Sequence, residues 1–171
     1  MSENLLNLEK LIELRQQWRA AGKRIVFTNG VFDLLHLGHV QYLTAARAMG
    51  DLLVIGLNSD GSVKQLKGPT RPLVAEQERA EVLLALRPVD YVTIFEETTA
   101  ENILRQLQPE IYVKGGDYTL QDQLEFAQTP KPLPEEPVVR SYGGLVRLVP
   151  FLPGHSTAEL IAKILQVYAK D

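Results

Sequence analysis

Two imidazoles stand three positions apart at His36 and His39, with Gly38 between them. The apolar run Ile25-Val26-Phe27 and the turn Thr28-Asn29-Gly30 come before, and an amphipathic stretch follows, so the pair falls at a strand-to-helix turn. At the start of a helix both rings can point toward unpaired backbone N–H groups, where donors and dipole together favour an anion. Gly38 removes the side chain that would keep a phosphate off the backbone. Rings so placed can hold the phosphates of a nucleoside triphosphate while one phosphoryl group is attacked. A single histidine serves equally as a half-buried, hydrogen-bonded side chain, and a spacing of one helical turn also suits metal chelation. Against a metal, no carboxylate follows at matching spacing, and His155 is the only other histidine.

Four further stretches add chemistry. Thr28-Asn29-Gly30 ends the first strand, where an open α/β sheet binds its ligand, although Gly30 also suits a simple turn. The segment Lys64–Ala75 reads as a long basic loop carrying Lys64, Lys67 and Arg71, with Arg79 just beyond. Such a loop is often only solvated, but this one leaves the second strand at Asn58-Ser59-Asp60, beside the same crevice. Lysine there supplies a mobile charge for a triphosphate, and arginine a bidentate one. Lys114-Gly115-Gly116-Asp117-Tyr118 is either a glycine turn closing a strand or a place where backbone lies against a flat base. Finally, Ser156 followed by Glu159 is a capping box, and Ser156 and Thr157 also present hydroxyls and amides at a helix start.

These groups need a scaffold. Apolar spacing predicts helices over 5–21, 38–49, 76–86, 100–107 and 156–168, and strands over 24–28, 52–57, 90–94, 111–113 and 146–149. Strands that are continuously apolar and separated by amphipathic helices indicate a parallel sheet covered on both faces. The expected fold is α/β, a Rossmann-like doubly wound parallel sheet with helices on both faces plus an N-terminal helix. Residues 1–22 form that helix, packed on a single domain of 23–171. Pro130–Pro137 holds four prolines in eight positions and reads as an irregular excursion, since the sheet pattern resumes after it.

Bulk composition sets limits. With 171 residues, 45% hydrophobic and 23% charged, the chain suits one complete α/β domain. No cysteine is present, which excludes disulfides and cysteine-zinc sites. A net charge of −3 argues against broad nucleic-acid binding but not against a small anion held by a few local cations. Apolar runs are strand-sized and the N-terminus lacks a signal-peptide pattern, so the expectation is a cytoplasmic protein with no membrane contact.

Taken together, the stretch from Thr28 to His39 (Thr28-Asn29-Gly30-Val31-Phe32-Asp33-Leu34-Leu35-His36-Leu37-Gly38-His39) resembles the opening signature of the HxGH nucleotidyltransferase superfamily, in its cytidylyltransferase-like branch. Asn58-Ser59-Asp60 with the Lys64–Pro72 segment, Val113–Tyr118, and Tyr142-Gly143-Gly144 leading to Gly154–Thr157 look more narrowly like the heptose 1-phosphate adenylyltransferases. The resemblance implies transfer of AMP from ATP to a heptose 1-phosphate, giving ADP-heptose and pyrophosphate for a lipopolysaccharide inner-core precursor. It implies His36, His39, Lys64, Lys67 and Arg79 as catalytic groups. Nucleotide contacts would come from Thr28, Asn29, Gly30, Phe32, Gly38, Lys114, Gly115, Gly116, Asp117, Ser156 and Thr157. Substrate contacts would come from Asp33, Asn58, Lys67 and Arg71. Mg²⁺ would arrive with ATP rather than sit in a protein-only metal site. A homodimer and a separate upstream sugar kinase are further expectations, the latter because no kinase segment precedes Leu5. Two alternatives stay open: a transferase of the same branch using CTP with a glycerol or polyol phosphate, and a catalytically silent nucleotide-binding module. The role of residues 128–140 is unassigned.

Overall fold

A computed structural model describes residues 2–116, 118–122, 131–150 and 152–169. Its elements in chain order are α1 (Leu8–Ala20), β1 (Ile25–Gly30), α2 (Leu37–Arg47), β2 (Leu52–Asn58), α3 (Asp60–Lys67), α4 (Glu76–Leu84), β3 (Tyr91–Phe95), α5 (Glu101–Leu107), β4 (Ile111–Gly115), α6 (Glu136–Ser141), β5 (Leu145–Val149) and α7 (Thr157–Tyr168). Five strands pair in the order β3-β2-β1-β4-β5, every pair parallel. The order reverses between β1 and β4, so the ligand crevice of this doubly wound sheet lies off their carboxyl ends.

Strand alternation sorts the core onto two faces. Ile25, Phe27, Val54, Tyr112 and Val146 point toward α1, α5 and α6, where Leu11, Trp18, Leu104, Leu107 and Val139 meet them. Val26, Leu53, Ile55, Leu57 and Val113 point the other way, onto Leu43 and Ala46 of α2 and Ala80 and Leu83 of α4. β2 is buried along its whole length, which explains its unbroken apolar sequence. The expected class, with helices on both faces, is what forms. No helix among the described residues is long and apolar enough to cross a membrane.

Several boundaries differ from expectation. Residues 5–7 are not helical. Leu5 bridges Val92, and Leu6 N–H donates to Val92 O, so this segment lines the edge of β3. Asn7 then caps α1 by accepting the Lys10 N–H at 2.9 Å. Thr28-Asn29-Gly30 is the end of β1 rather than a turn, paired with Ile55, Gly56 and Leu57. The basic segment is not a loop from Lys64 onward: Ser59 caps α3, which carries both Lys64 and Lys67, and Gly68 at φ +96° ends it. The proline-rich excursion yields α6, with Pro137 in its first turn, where no N–H is missed.

Candidate active site

α2 starts at the pair of imidazoles. His36 is its N-cap, in extended geometry at φ −145°, and His39 lies in the first turn. The ring centroids stand 3.9 Å apart, and the His36 backbone N–H donates to His39 Nδ1 at 3.4 Å. A neutral His39 ring therefore carries its proton on Nε2, ready to donate outward. Burial, then the neighbouring His36, pushes the His39 pKa down from 6.5 to about 4. His36 is also lowered, first by burial and then by His155, with Glu159 opposing. Both shifts favour the uncharged ring near neutral pH.

Phe32 holds this arrangement. It sits at φ +46°, a left-handed conformation unusual for a large side chain, and its buried ring lies 5.4 Å from the His39 ring. A Cβ on Gly30 would stand 2.9 Å from that ring, so glycine lets Phe32 fold back over the strand end. Gly38 plays a similar part: a Cβ there would meet the His36 ring at 3.0 Å and the His155 carbonyl oxygen at 3.1 Å. The start of α7 is therefore packed against the start of α2. Thr157 Oγ1 reaches Leu34 O at 3.5 Å, and Ser156 caps α7 by accepting the Glu159 N–H at 3.1 Å. Two helix N-termini converge beside two imidazoles.

A third imidazole joins them. His155 is exposed, its Nδ1 lies 2.9 Å from Pro153 O, and its charge acts on His36. Sequence reasoning counted His155 only as a failed metal ligand. Its place one residue before a helix cap was the available signal.

Other expected site residues are committed to the protein. Arg79 is 1% exposed; Nε donates to Val74 O at 2.9 Å, Nη1 to Val31 O, and Nη2 pairs with Asp60 at 2.7 Å. It is not a free cation for phosphate. Asp33 accepts from the Leu73 and Val74 N–H groups and pairs with Arg71 at 2.6 Å, so both hold the 68–75 loop against the turn before His36. Asn58 Nδ2 donates to Ser62 Oγ and Glu97 O, bracing α3. Thr28 is fully buried and its hydroxyl meets Tyr42 OH at 2.6 Å, while Tyr42 donates to Val113 O. All five of these expected site residues, Arg79, Asp33, Arg71, Asn58 and Thr28, thus have partners within the chain.

Lys64 and Lys67 remain exposed on α3, with no ion pair among the described residues. Gly115 ends β4, and Gly116 follows at φ +129°; Asp117 lies outside the described residues. The Lys114 ammonium donates to Asn29 Oδ1, 2.9 Å away. No cluster of three His, Asp or Glu with metal-binding geometry occurs among the described residues.

The His39 shift has a consequence for stability. Between pH 6.5 and about 4 the folded ring binds fewer protons than the unfolded one, so its contribution is complete above pH 6.5 and lost as pH falls toward 4. The urea midpoint of the wild type is expected to drop further than that of His39→Gln when pH is lowered across this window. Equal drops would show that His39 is solvated like any surface histidine.

Comparison with known proteins agrees with this layout. Residues 27–163 match the family model described as cytidylyltransferase-like. The chain is 50% identical over 165 residues to the bifunctional protein HldE of Geobacter sulfurreducens, covering 96% of this chain and 32% of that protein. It is 52% identical over 163 residues to its counterpart in Pelobacter propionicus, covering 95% and 31%. It thus spans about a third of the length of the curated relatives it matches. Among solved structures, a lipopolysaccharide core biosynthesis protein from Thermoplasma volcanium superposes with a TM-score of 0.58 at 27% identity, over 77% of this chain and 98% of that one. The paired imidazoles at a helix start, the parallel sheet and the matched span together place the chain in the cytidylyltransferase-like family.

Proposed function

We propose that the chain is an adenylyltransferase that joins AMP from MgATP to a heptose 1-phosphate, releasing pyrophosphate. The observation that carries this is the convergence of the α2 and α7 N-termini around His36 and His39 at the switch point of the sheet. That is a site for several phosphates at once. The heptose rests on likeness to the heptose 1-phosphate adenylyltransferases, supported by the relatives named HldE and the lipopolysaccharide core protein.

The sugar phosphate is already an anionic nucleophile. Its oxygen attacks the α-phosphorus in line, a new P–O bond forms, and the bond to the bridging oxygen breaks, leaving pyrophosphate. No proton has to move, so positioning and charge stabilisation supply the acceleration. His36 and His39 donate to oxygens where charge accumulates. Lys64 and Lys67, mobile on α3, approach the sugar phosphate and the leaving pyrophosphate. Ser156 and Thr157 add donors at the α7 start, and the backbone of Gly115 and Gly116 with Asp117 receives the base. Mg²⁺ enters as part of the nucleotide and neutralises its phosphates; Asp33 and Asp60 are engaged with Arg71 and Arg79. Residues 23–171 act as the catalytic domain in the cytoplasm. A homodimer completes this reading.

The family description keeps one competitor in view, a CTP-dependent transfer to glycerol or polyol phosphate. Incubation with Mg²⁺, each nucleoside triphosphate and a panel of sugar and polyol phosphates, followed by pyrophosphate release, separates the two. The expected outcome is release only with ATP and a heptose 1-phosphate. Release with CTP and glycerol phosphate would replace this reading, and binding without release would point to a silent module.

A further inference from the structure

At the reversal of strand order a buried polar group of side chains lies behind the crevice, outside the mechanism above. Asn29, the last-but-one residue of β1, is 8% exposed. Its Oδ1 accepts from Tyr112 OH at 2.7 Å and from Lys114 Nζ at 2.9 Å, both on the adjoining β4. An ammonium carries only hydrogens, so the amide atom facing Lys114 is the oxygen, and the orientation of the amide is fixed by chemistry. Nδ2 is therefore turned away from both donors. It has no partner among the described residues, yet it is not sealed from solvent. Asn29 lies at the carboxyl end of β1, three residues before Phe32.

Glu135, the residue preceding α6, is 4% exposed and accepts from the Ala100 N–H at 3.4 Å. Burial favours loss of the Lys114 proton, and the Glu135 carboxylate opposes that loss. A lysine that gave up its proton would become an acceptor, and the amide of Asn29 would be free to reverse.

We propose that Tyr112 and Lys114 are positioning residues that lock the Asn29 amide with its N–H groups toward the crevice, where they donate to a phosphoryl oxygen of the bound nucleotide. The inference rests on the nucleotidyl-transfer reading and adds to it the route by which β4 acts on the reaction. Tyr112 is suited to this because its ring is fully buried and stacked on Phe27 with centroids 6.2 Å apart, so its hydroxyl has little freedom.

Asn29→Asp separates positioning from mere packing. Aspartate accepts from Tyr112 and Lys114 as asparagine does, but has no N–H to offer. The variant is expected to melt within a few degrees of wild type, or above it, while turnover falls about 10²-fold, the scale of one lost oxyanion donor. Turnover within threefold of wild type would overturn the proposal, since Asn29 would then serve only as an acceptor. Tyr112→Phe and Lys114→Met are expected to lower kcat/KM about tenfold in the wild-type background, and to add nothing in the Asn29→Asp background. Additive effects would mean that they act by another route. If the wild-type chain makes no nucleotide sugar, the transfer reading fails. The proposal then stands or falls on ATP affinity by calorimetry, weakened at least tenfold by Asn29→Asp or unchanged.

Discussion

Replacing His39 with alanine is expected to lower nucleotidyl transfer by about 10²–10³ while the protein keeps its fold. The ring is held on three sides: by the His36 N–H on Nδ1, by the His36 ring at 3.9 Å and by the Phe32 ring at 5.4 Å. Only Nε2 is left to act, and near pH 7 it is a donor on an uncharged ring. A neutral donor binds the ground-state triphosphate modestly and gains most as charge moves onto the α-phosphoryl oxygens and the leaving pyrophosphate. The loss should fall mainly on kcat, with KM for ATP changing far less. His39→Gln should recover part of the rate, because an amide N–H can reach a similar position. Far-UV circular dichroism and a single cooperative urea transition check the fold. Normal turnover in a folded His39→Ala protein would remove the ring from the chemistry.

The parts of this molecule that were legible in sequence are those written in local pattern. β1 and β2 show through the apolar runs Ile25–Phe27 and Leu52–Leu57 because both faces are covered, and the α2 start shows because cap, glycine and histidines are neighbours in the chain. α3 was missed although Ser59 and Gly68 bracket it. It buries only Ser62 and Val63, too narrow an apolar stripe to announce a helix of eight residues. The starting segment 5–7 was misplaced because a leucine pairing with a sheet edge and a leucine in a helix look alike until Val92 is brought beside it. Side-chain duties were the least legible. A cation in a sequence shows its charge but not its partners, and those of Arg79 stand 5, 19 and 48 positions away. Tyr112 and Tyr42 carry no local sign of a polar duty, and only the assembled sheet reveals that their hydroxyls bridge β1 and β4 or α2.

Arg79 leads to the last expectation, which concerns stability before rate. Its guanidinium joins three segments around the crevice: Val31 O, next to Phe32; Val74 O, in the loop that Asp33 holds; and Asp60, in the first turn of α3. Its side chain is wholly buried, whereas that of Asp60 keeps 33% exposure, so removing the arginine strands two carbonyls and one half-solvated carboxylate. Breaking a buried charged pair typically costs about 3–5 kcal/mol, and the exposure of Asp60 places Arg79→Ala at the lower end, about 3 kcal/mol in urea denaturation. Lysine should not restore it, because a single ammonium cannot aim at three acceptors in the plane of the fork. Turnover should fall as well, since α3 carries Lys64 and Lys67 and would lose its anchor. The order of effects discriminates between roles. A direct phosphate ligand, when deleted, leaves stability untouched and removes rate; a tie between loops loses stability first. A variant as stable as wild type but inactive would return Arg79 to the crevice, and would mean that its three protein bonds give way when nucleotide binds.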